Sequence, residues 1–237
     1  MPFLYGVNQT KFSNDIDLQL DIPSVCAQKL IDNDVDLGLV PIAVLPQLKE
    51  YHIISDYCIG AKGKVNSVLL LSDVPLNEIE EVYLDYQSKT SINLTRILAK
   101  KVWNINPKWK NAEKGYENKI SGKTAGVIIG DRTFNLAKEY KYKYDLAEEW
   151  FNYTGLPFAF ACWVSNKVLS TTFINELNEA LSMGVRHISD AVTQSNPNQL
   201  SKKTLLNYLT NDIDYNLDEE KRKSIKLFLE YLTEITD

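Results

Sequence analysis

The alternation of apolar and polar positions divides this 237-residue chain into short strands and helices. Ile16 to Leu20 alternates polar and apolar residues in the manner of a half-buried strand. Ser24, just after Pro23, is placed to cap a helix running to Asn33. Val35 to Val40 reads as a short strand ended by Pro41, and Ala43 to Leu48 as a short helix with Pro46 in its first turn. Val65 to Leu71 predicts a buried strand and Glu81 to Asp85 a second, while Thr90 to Trp103 has the period of an amphipathic helix. Ala125 to Ile129 predicts a further buried strand, ending at Gly130-Asp131. From Tyr144 to Trp163 the chain is dense in aromatics. There Asp145 can cap a short acid-rich helix, and Thr154 to Pro157 reads as a turn, because Gly permits positive φ and Pro cannot continue a helix. Phe158 to Val164 then reads as a buried strand. Helical patterns follow over Ser170 to Val192, Ser201 to Tyr208 and Asp218 to Ile235.

This order of elements predicts an α/β protein with largely parallel sheets. Two apolar strands, Val65–Leu71 and Phe158–Val164, bracket a middle section with its own strand–helix set. That suits two lobes joined by crossing strands, lobe one from residues 1–70 and 165–237 and lobe two from 71–164, with the C-terminal helices returning to lobe one.

Composition narrows the function classes. A hydrophobic content of 44% and a charged content of 24% are ordinary for a globular protein. The net charge of -5 argues against a nucleic-acid partner, which would demand a basic face. No apolar run is long enough to predict a membrane span, and MPFLYGVNQTKF lacks the form of a secretory signal. Cys26, Cys58 and Cys162 are odd in number and sit among apolar neighbours, which suggests reduced thiols and a cytoplasmic location. The only histidines are His52 and His187, and no cluster has metal-ligand spacing, so no metal is expected. No phosphate-binding glycine loop or nucleophile elbow is present. The run Lys138 to Lys143 reads as a solvated helix face, and the pairs Glu80-Glu81 and Glu148-Glu149 as surface.

Four segments carry candidate chemistry. Asp85 to Ser91 joins a strand to the start of a helix, whose first N–H groups lack intrahelical partners and carry partial positive charge. Hydroxyls at Ser88, Thr90 and Ser91 add donors, which makes either a carboxylate-sized anion site or an ordinary hydroxyl cap. Ser67 is a lone hydroxyl within an apolar strand, able to bond to backbone or to a ligand. Asp131 can cap the next helix, orient a ligand or pair with Arg132. Val40, Pro41 and Ile42 lie at a strand end, where open α/β sheets place ligands, or simply stop the strand.

The words DLGLVP at 36–41, VNSVLLLS at 65–72, LDYQSKTS at 84–91, IIGD at 128–131 and YDLAEEW with TGLPF between 144 and 158 occur in one order. In that order the chain resembles the chorismate dehydratase family of the futalosine route to menaquinone. The resemblance implies a type 2 periplasmic-binding-protein fold used in the cytoplasm, two-lobed with a cleft between the lobes and a helical C-terminus. It implies dehydration of chorismate, a small-molecule substrate, to 3-[(1-carboxyvinyl)oxy]benzoate, with no cofactor. Ser67, Ser88, Thr90, Ser91, Thr154 and Gly155 become expected substrate contacts, and Val40, Pro41 and Ile42 the expected cleft floor. The family's first strand and an active-site Asn precede the segment matching Pro2 to Gly6, so both are expected to be missing here, through a start assigned too late, the preferred explanation, or through loss of a sheet strand. Asn8 lies beyond the match and does not inherit that role, so the catalytic residue is not assigned; the shared IIGD word makes Asp131 a candidate. A sister dihydroxynaphthoate synthase would be expected to use a His in lobe two, where this chain has none. A non-catalytic binder of a small aromatic carboxylate is the other reading the fold allows.

Overall fold

A computed structural model describes residues 1–196 and 200–236. In chain order its elements are α1 (Pro2–Gln9), α2 (Pro23–Asp32), β1 (Leu37–Pro41), β2 (His52–Ala61), β3 (Val68–Ser72), β4 (Glu81–Leu84) and α3 (Lys89–Leu98). There follow β5 (Lys108–Asn111), β6 (Thr124–Ile129), β7 (Tyr142–Asp145), α4 (Leu146–Thr154), β8 (Phe158–Ser165), α5 (Thr171–Arg186) and α6 (Ile188–Gln194). The chain ends with α7 (Lys202–Asn207), β9 (Asp214–Asn216) and α8 (Glu219–Thr236).

The chain forms two compact units. One comprises Met1–Gly60 and Ala161–Asp218, the other Ala61–Phe160 and the segment from Glu219 on. The C-terminal helix departs from the expected return to residues 1–70, because α8 belongs to the second unit. Its Ser224 hydroxyl accepts from Trp150 Nε1 at 2.9 Å, and its Phe228 ring packs edge-on against Trp150 and Phe158. Its Glu234 takes a salt bridge from Lys101. An amphipathic helix goes wherever its apolar stripe is best covered, and the stripe alone does not name that partner.

The first unit holds a sheet of order β1-β8-β2-β9. β1 runs antiparallel to β8, and β2 antiparallel to β9. The strand expected at Ile16 to Leu20 is irregular chain, with Leu18 and Leu20 exposed. Its period-2 pattern found no neighbouring strand to pair with. α2 begins at Pro23 without a side-chain cap from Ser24, whereas Asn33 ends it in the left-handed conformation. Ile42–Gln47 is a 3-10 turn containing Pro46. The expected helix Ser170–Val192 is broken at His187 into α5 and α6. α1 packs against α5 through glycines. A methyl group on Gly6 would run into the carbonyl oxygen of Ala180, and one on Gly184 into that of Pro2.

The second unit holds a mixed sheet of order β5-β4-β6-β3-β7. β4 is parallel to β5 and β6, while β3 is antiparallel to β6 and β7. The largely parallel sheets expected from strand–helix alternation are therefore replaced by one mixed and one antiparallel arrangement in the described pairings. Alternate residues of β3 face opposite ways. Leu69 and Leu71 join Tyr116, Ile120, Ile128 and Tyr140 in one core cluster. Gly126 on the same face leaves room for Ile120, whose side chain would collide with a Cβ there. Part of the lysine-rich run is strand β7 rather than a helix face, and Tyr140 beside it is buried. The expected helix Thr90–Trp103 is α3 followed by a π turn, Ala99–Trp103.

Gly184→Ala should lower stability by at least about 1–3 kcal/mol, the range for overpacking, because the obstacle is backbone. A urea midpoint measured against wild type checks this, and an unchanged midpoint would show that α1 and α5 can separate without loss.

Candidate functional site

The site is built from the strand ends of the second unit. β4 and β6 are parallel neighbours, so their carboxyl ends, with the turns Asp85–Ser88 and Gly130–Arg132, lie at one edge of the sheet. β3 runs against β6 with Val68 opposite Ile129, which sets Ser67 beside Gly130. The Gly130 N–H donates to the Ser67 carbonyl at 2.8 Å. β7 runs against β3 with Asp145 opposite Leu69, so it delivers Asp145 and the start of α4 to the same edge. Ser67, Ser88, Thr90, Ser91 and Asp131 are thus all carried by the turns and helix start along this edge.

Thr154 and Gly155 are not among them. They lie at the far end of nine-residue α4, about 13 Å along its axis at 1.5 Å per residue. The Thr154 hydroxyl donates to the Trp150 carbonyl at 2.8 Å and accepts from Leu156 N–H at 3.1 Å. Gly155 has φ 71° and closes the helix through a bond to the Phe151 carbonyl. Both residues act as a helix stop. Val40, Pro41 and Ile42 belong to the first unit, where the Val40 and Ile42 side chains are fully buried in its core.

Ser88 caps α3. Its oxygen accepts from the Ser91 N–H at 3.3 Å and from the Ser91 hydroxyl at 3.1 Å. Both bonds use Ser88 Oγ as acceptor, so neither consumes its own hydroxyl proton. Ser67, Thr90 and Ser91 are each at most 2% exposed and Ser88 is 8% exposed. Asp131 is exposed, in the first turn of the 3-10 helix Gly130–Phe134.

Two buried carboxylates frame this edge. Asp145 Oδ1 accepts from Ala147 and Glu148 N–H, which makes it the expected cap. Asp145 Oδ2 accepts from Val65 N–H at 3.0 Å and Asn66 N–H at 2.7 Å, a second task the sequence did not show. Burial pushes this carboxyl's pKa up, while the four N–H donors pull against that rise. Asn66 sits at φ 58°, in the left-handed region where Asn is enriched among non-glycine residues.

Asp85 is fully buried. Its Oδ1 accepts from Gln87 N–H at 2.8 Å, and its Oδ2 from the Arg132 guanidinium. The Tyr116 hydroxyl lies between Asp85 Oδ2 and the Val127 carbonyl, and its single proton serves one of them at a time. Arg132 also donates to Glu117 at 2.8 Å and to the Gln87 side chain at 3.1 Å. Burial opposes the Arg132 charge, but the neighbouring Asp85 and Glu117 more than offset it and hold the guanidinium protonated. Burial and then the Asp85 charge push the Tyr116 phenol up, so it stays a neutral donor. Arg132 thus pairs with Asp85, not with adjacent Asp131. The isolated word DYQ gave no sign of this pair, whose members are 47 residues apart.

A family model described as menaquinone biosynthesis matches residues 1–234. The chain belongs to the menaquinone biosynthesis family. Among its relatives is the chorismate dehydratase of Thermus thermophilus, 27% identical over 233 residues, covering 89% of this chain and 84% of the relative. A structural-genomics protein of Archaeoglobus fulgidus shares the fold with TM-score 0.69 at 12% identity, over 99% of this chain and 93% of its own. An ABC transporter structure from Parabacteroides distasonis does so with TM-score 0.60 at 16% identity, over 91% and 80% of the two chains. The fold class is α/β of the periplasmic-binding-protein type, with a helical C-terminus. Among the described residues no helix of this family member is long and apolar enough to cross a membrane.

Asp145→Asn would turn one acceptor into an NH2 group facing N–H donors, and should destabilise the protein by about 1–3 kcal/mol. Asp131→Asn, at an exposed position, should stay within about 0.5 kcal/mol of wild type. Thermal melts of both variants beside wild type check the contrast, and equal losses would show the Asp145 bonds to be dispensable.

Proposed function

We propose that this chain removes water from chorismate to give 3-[(1-carboxyvinyl)oxy]benzoate. The observation that carries this reading is its similarity, along most of its length, to the Thermus thermophilus chorismate dehydratase. The site chemistry agrees with it. The substrate has two carboxylates and a cyclohexadiene ring. One C–H proton and one hydroxyl depart together as water, and the ring becomes aromatic, which drives the reaction forward. A protein promoting that change has to grip the carboxylates, orient the ring and help the proton and hydroxyl leave.

The start of α3 takes one carboxylate. Its amide N–H groups carry the positive end of the helix dipole, Ser88 and Thr90 add hydroxyls to it, and Ser91 supports Ser88 by donating to its oxygen. Ser88 retains a proton to donate because its cap bonds use only lone pairs. Ser67, brought beside Gly130, is a second hydroxyl along the same edge. Asp131 is the group assigned to proton transfer, since it is a solvent-reachable carboxylate in the turn after β6.

The decisive test is turnover of chorismate by the purified chain, with product followed by mass spectrometry. Asp131→Asn should reduce kcat by about 100-fold or more, the usual worth of a positioned acid or base. Thr90→Val combined with Ser91→Ala should weaken chorismate binding by about 1–3 kcal/mol. Ser88→Asp keeps an N-cap acceptor but opposes a carboxylate with a like charge, so it should raise KM at least as far. Full activity in all three variants would move the site elsewhere.

A further inference from the structure

Arg132 has three polar partners and stacks over the Tyr86 ring at 5.3 Å, yet its side chain retains 22% exposure. It comes from the turn after β6, whereas Asp85, Gln87 and Tyr86 come from the turn after β4. Asp85 in turn grips Gln87 N–H from within its own turn. Ser88, three residues after Asp85, caps α3. Asp85, Tyr86 and Gln87 thus each touch Arg132, while Asp85 also holds Gln87 N–H and the Tyr116 hydroxyl, and Gln87 Nε2 donates to the Tyr86 hydroxyl. A buried ion pair is a poor source of net stability, since the desolvation of both ions offsets their attraction. Its attested use is to specify one arrangement among several.

We propose that Arg132 is a positioning residue: by clamping Asp85 and Gln87 it fixes the turn into α3, and so aims the Ser88 hydroxyl and the first amides of α3 at a substrate carboxylate. This rests on the chorismate reading for the identity of the ligand, but the clamp itself is a statement about the turn. Lysine can keep a positive charge beside Asp85, but it cannot reproduce the planar fork that serves Asp85, Gln87 and Glu117 together. Arg132→Lys is therefore the informative substitution, since it avoids leaving Asp85 buried without a cation. Gln87→Ala, which removes one arm of the clamp from a partly exposed position, is the companion that tolerates any folding defect in the first.

Two readouts separate the possibilities. The first is hydrogen exchange of backbone amides, compared between the start of α3 at Ser88–Ile92 and its centre at Leu94–Leu98. Both variants should speed exchange at the start by about tenfold or more while the centre changes little, the signature of a locally loosened segment. The second is chorismate kinetics, where KM should rise by about tenfold with kcat reduced far less, as expected when a ground-state contact is weakened. In the Thr90→Val/Ser91→Ala background, Arg132→Lys should add little further to KM, because both changes act through one element. Unchanged exchange in both variants overturns the proposal. So does looser exchange with unchanged KM in an enzyme that turns over chorismate, and so does full additivity with the double variant. Looser exchange in a protein that never turns over chorismate sustains the clamp and sinks the substrate reading alone.

Discussion

A carboxylate taken out of water must find donors for its lone pairs, or it will be protonated or unfold its surroundings. The second unit meets this constraint twice at one edge of its mixed sheet. Asp145 is satisfied by four backbone N–H groups, two from the start of α4 and two from Val65 and Asn66. Asp85 is satisfied by Gln87 N–H, the Tyr116 hydroxyl and Arg132. Each carboxylate joins chain segments that are far apart in sequence, and together they set the shape of the turns that carry Ser67, Ser88 and Asp131.

For the proposed dehydration, that arrangement would serve to orient the substrate. Helix-start amides and capped hydroxyls are fixed dipoles, and dipoles already in place cost no reorganisation when charge moves in a substrate. Their value depends on their being held still. The π turn that follows α3, the edge-on packing of Trp150 against Phe158 and Phe228, and the bond from Trp150 to Ser224 brace the helices behind the edge. α8 supplies half of that bracing, which is why its membership in the second unit matters to the site.

The first unit solves a different problem. Its α1 and α5 approach so closely at Gly6 and Gly184 that no side chain fits between them. Phe3 on α1 then reaches Tyr57, Trp163 and Tyr215, rings carried by β2, β8 and β9. Ser55, a polar interruption that hides β2 from a periodicity reading, is buried and donates to Asn178 on α5 at 2.7 Å. Asn178 also accepts from Asp56 N–H at 3.1 Å and donates to Asp56 Oδ2 at 3.2 Å, so a small polar cluster joins β2 to α5 beside the aromatic contacts.

What the sequence determined by itself was local. The Asp145 and Ser88 caps, the stop at Thr154-Gly155, the apolar cores of β3, β6 and β8 and the start of α8 depend on residues within a few positions of one another, and each is legible there. The family words also singled out Ser67, Ser88, Thr90, Ser91 and Asp131, and the sheet carries these residues along one edge. Partner choice was not legible. Ile16–Leu20 had a strand's alternation but no strand to pair with, β2 formed despite polar residues at its centre, and α8 joined the second unit because Trp150 and Phe158 cover its apolar face. The Asp85–Arg132 pair, the Val65 and Asn66 bonds to Asp145 and the Gly6–Gly184 approach exist only after strands are ordered and helices docked. Local signals fix backbone preference residue by residue, whereas burying a charge or omitting a side chain is favourable only once a distant partner occupies the adjoining space.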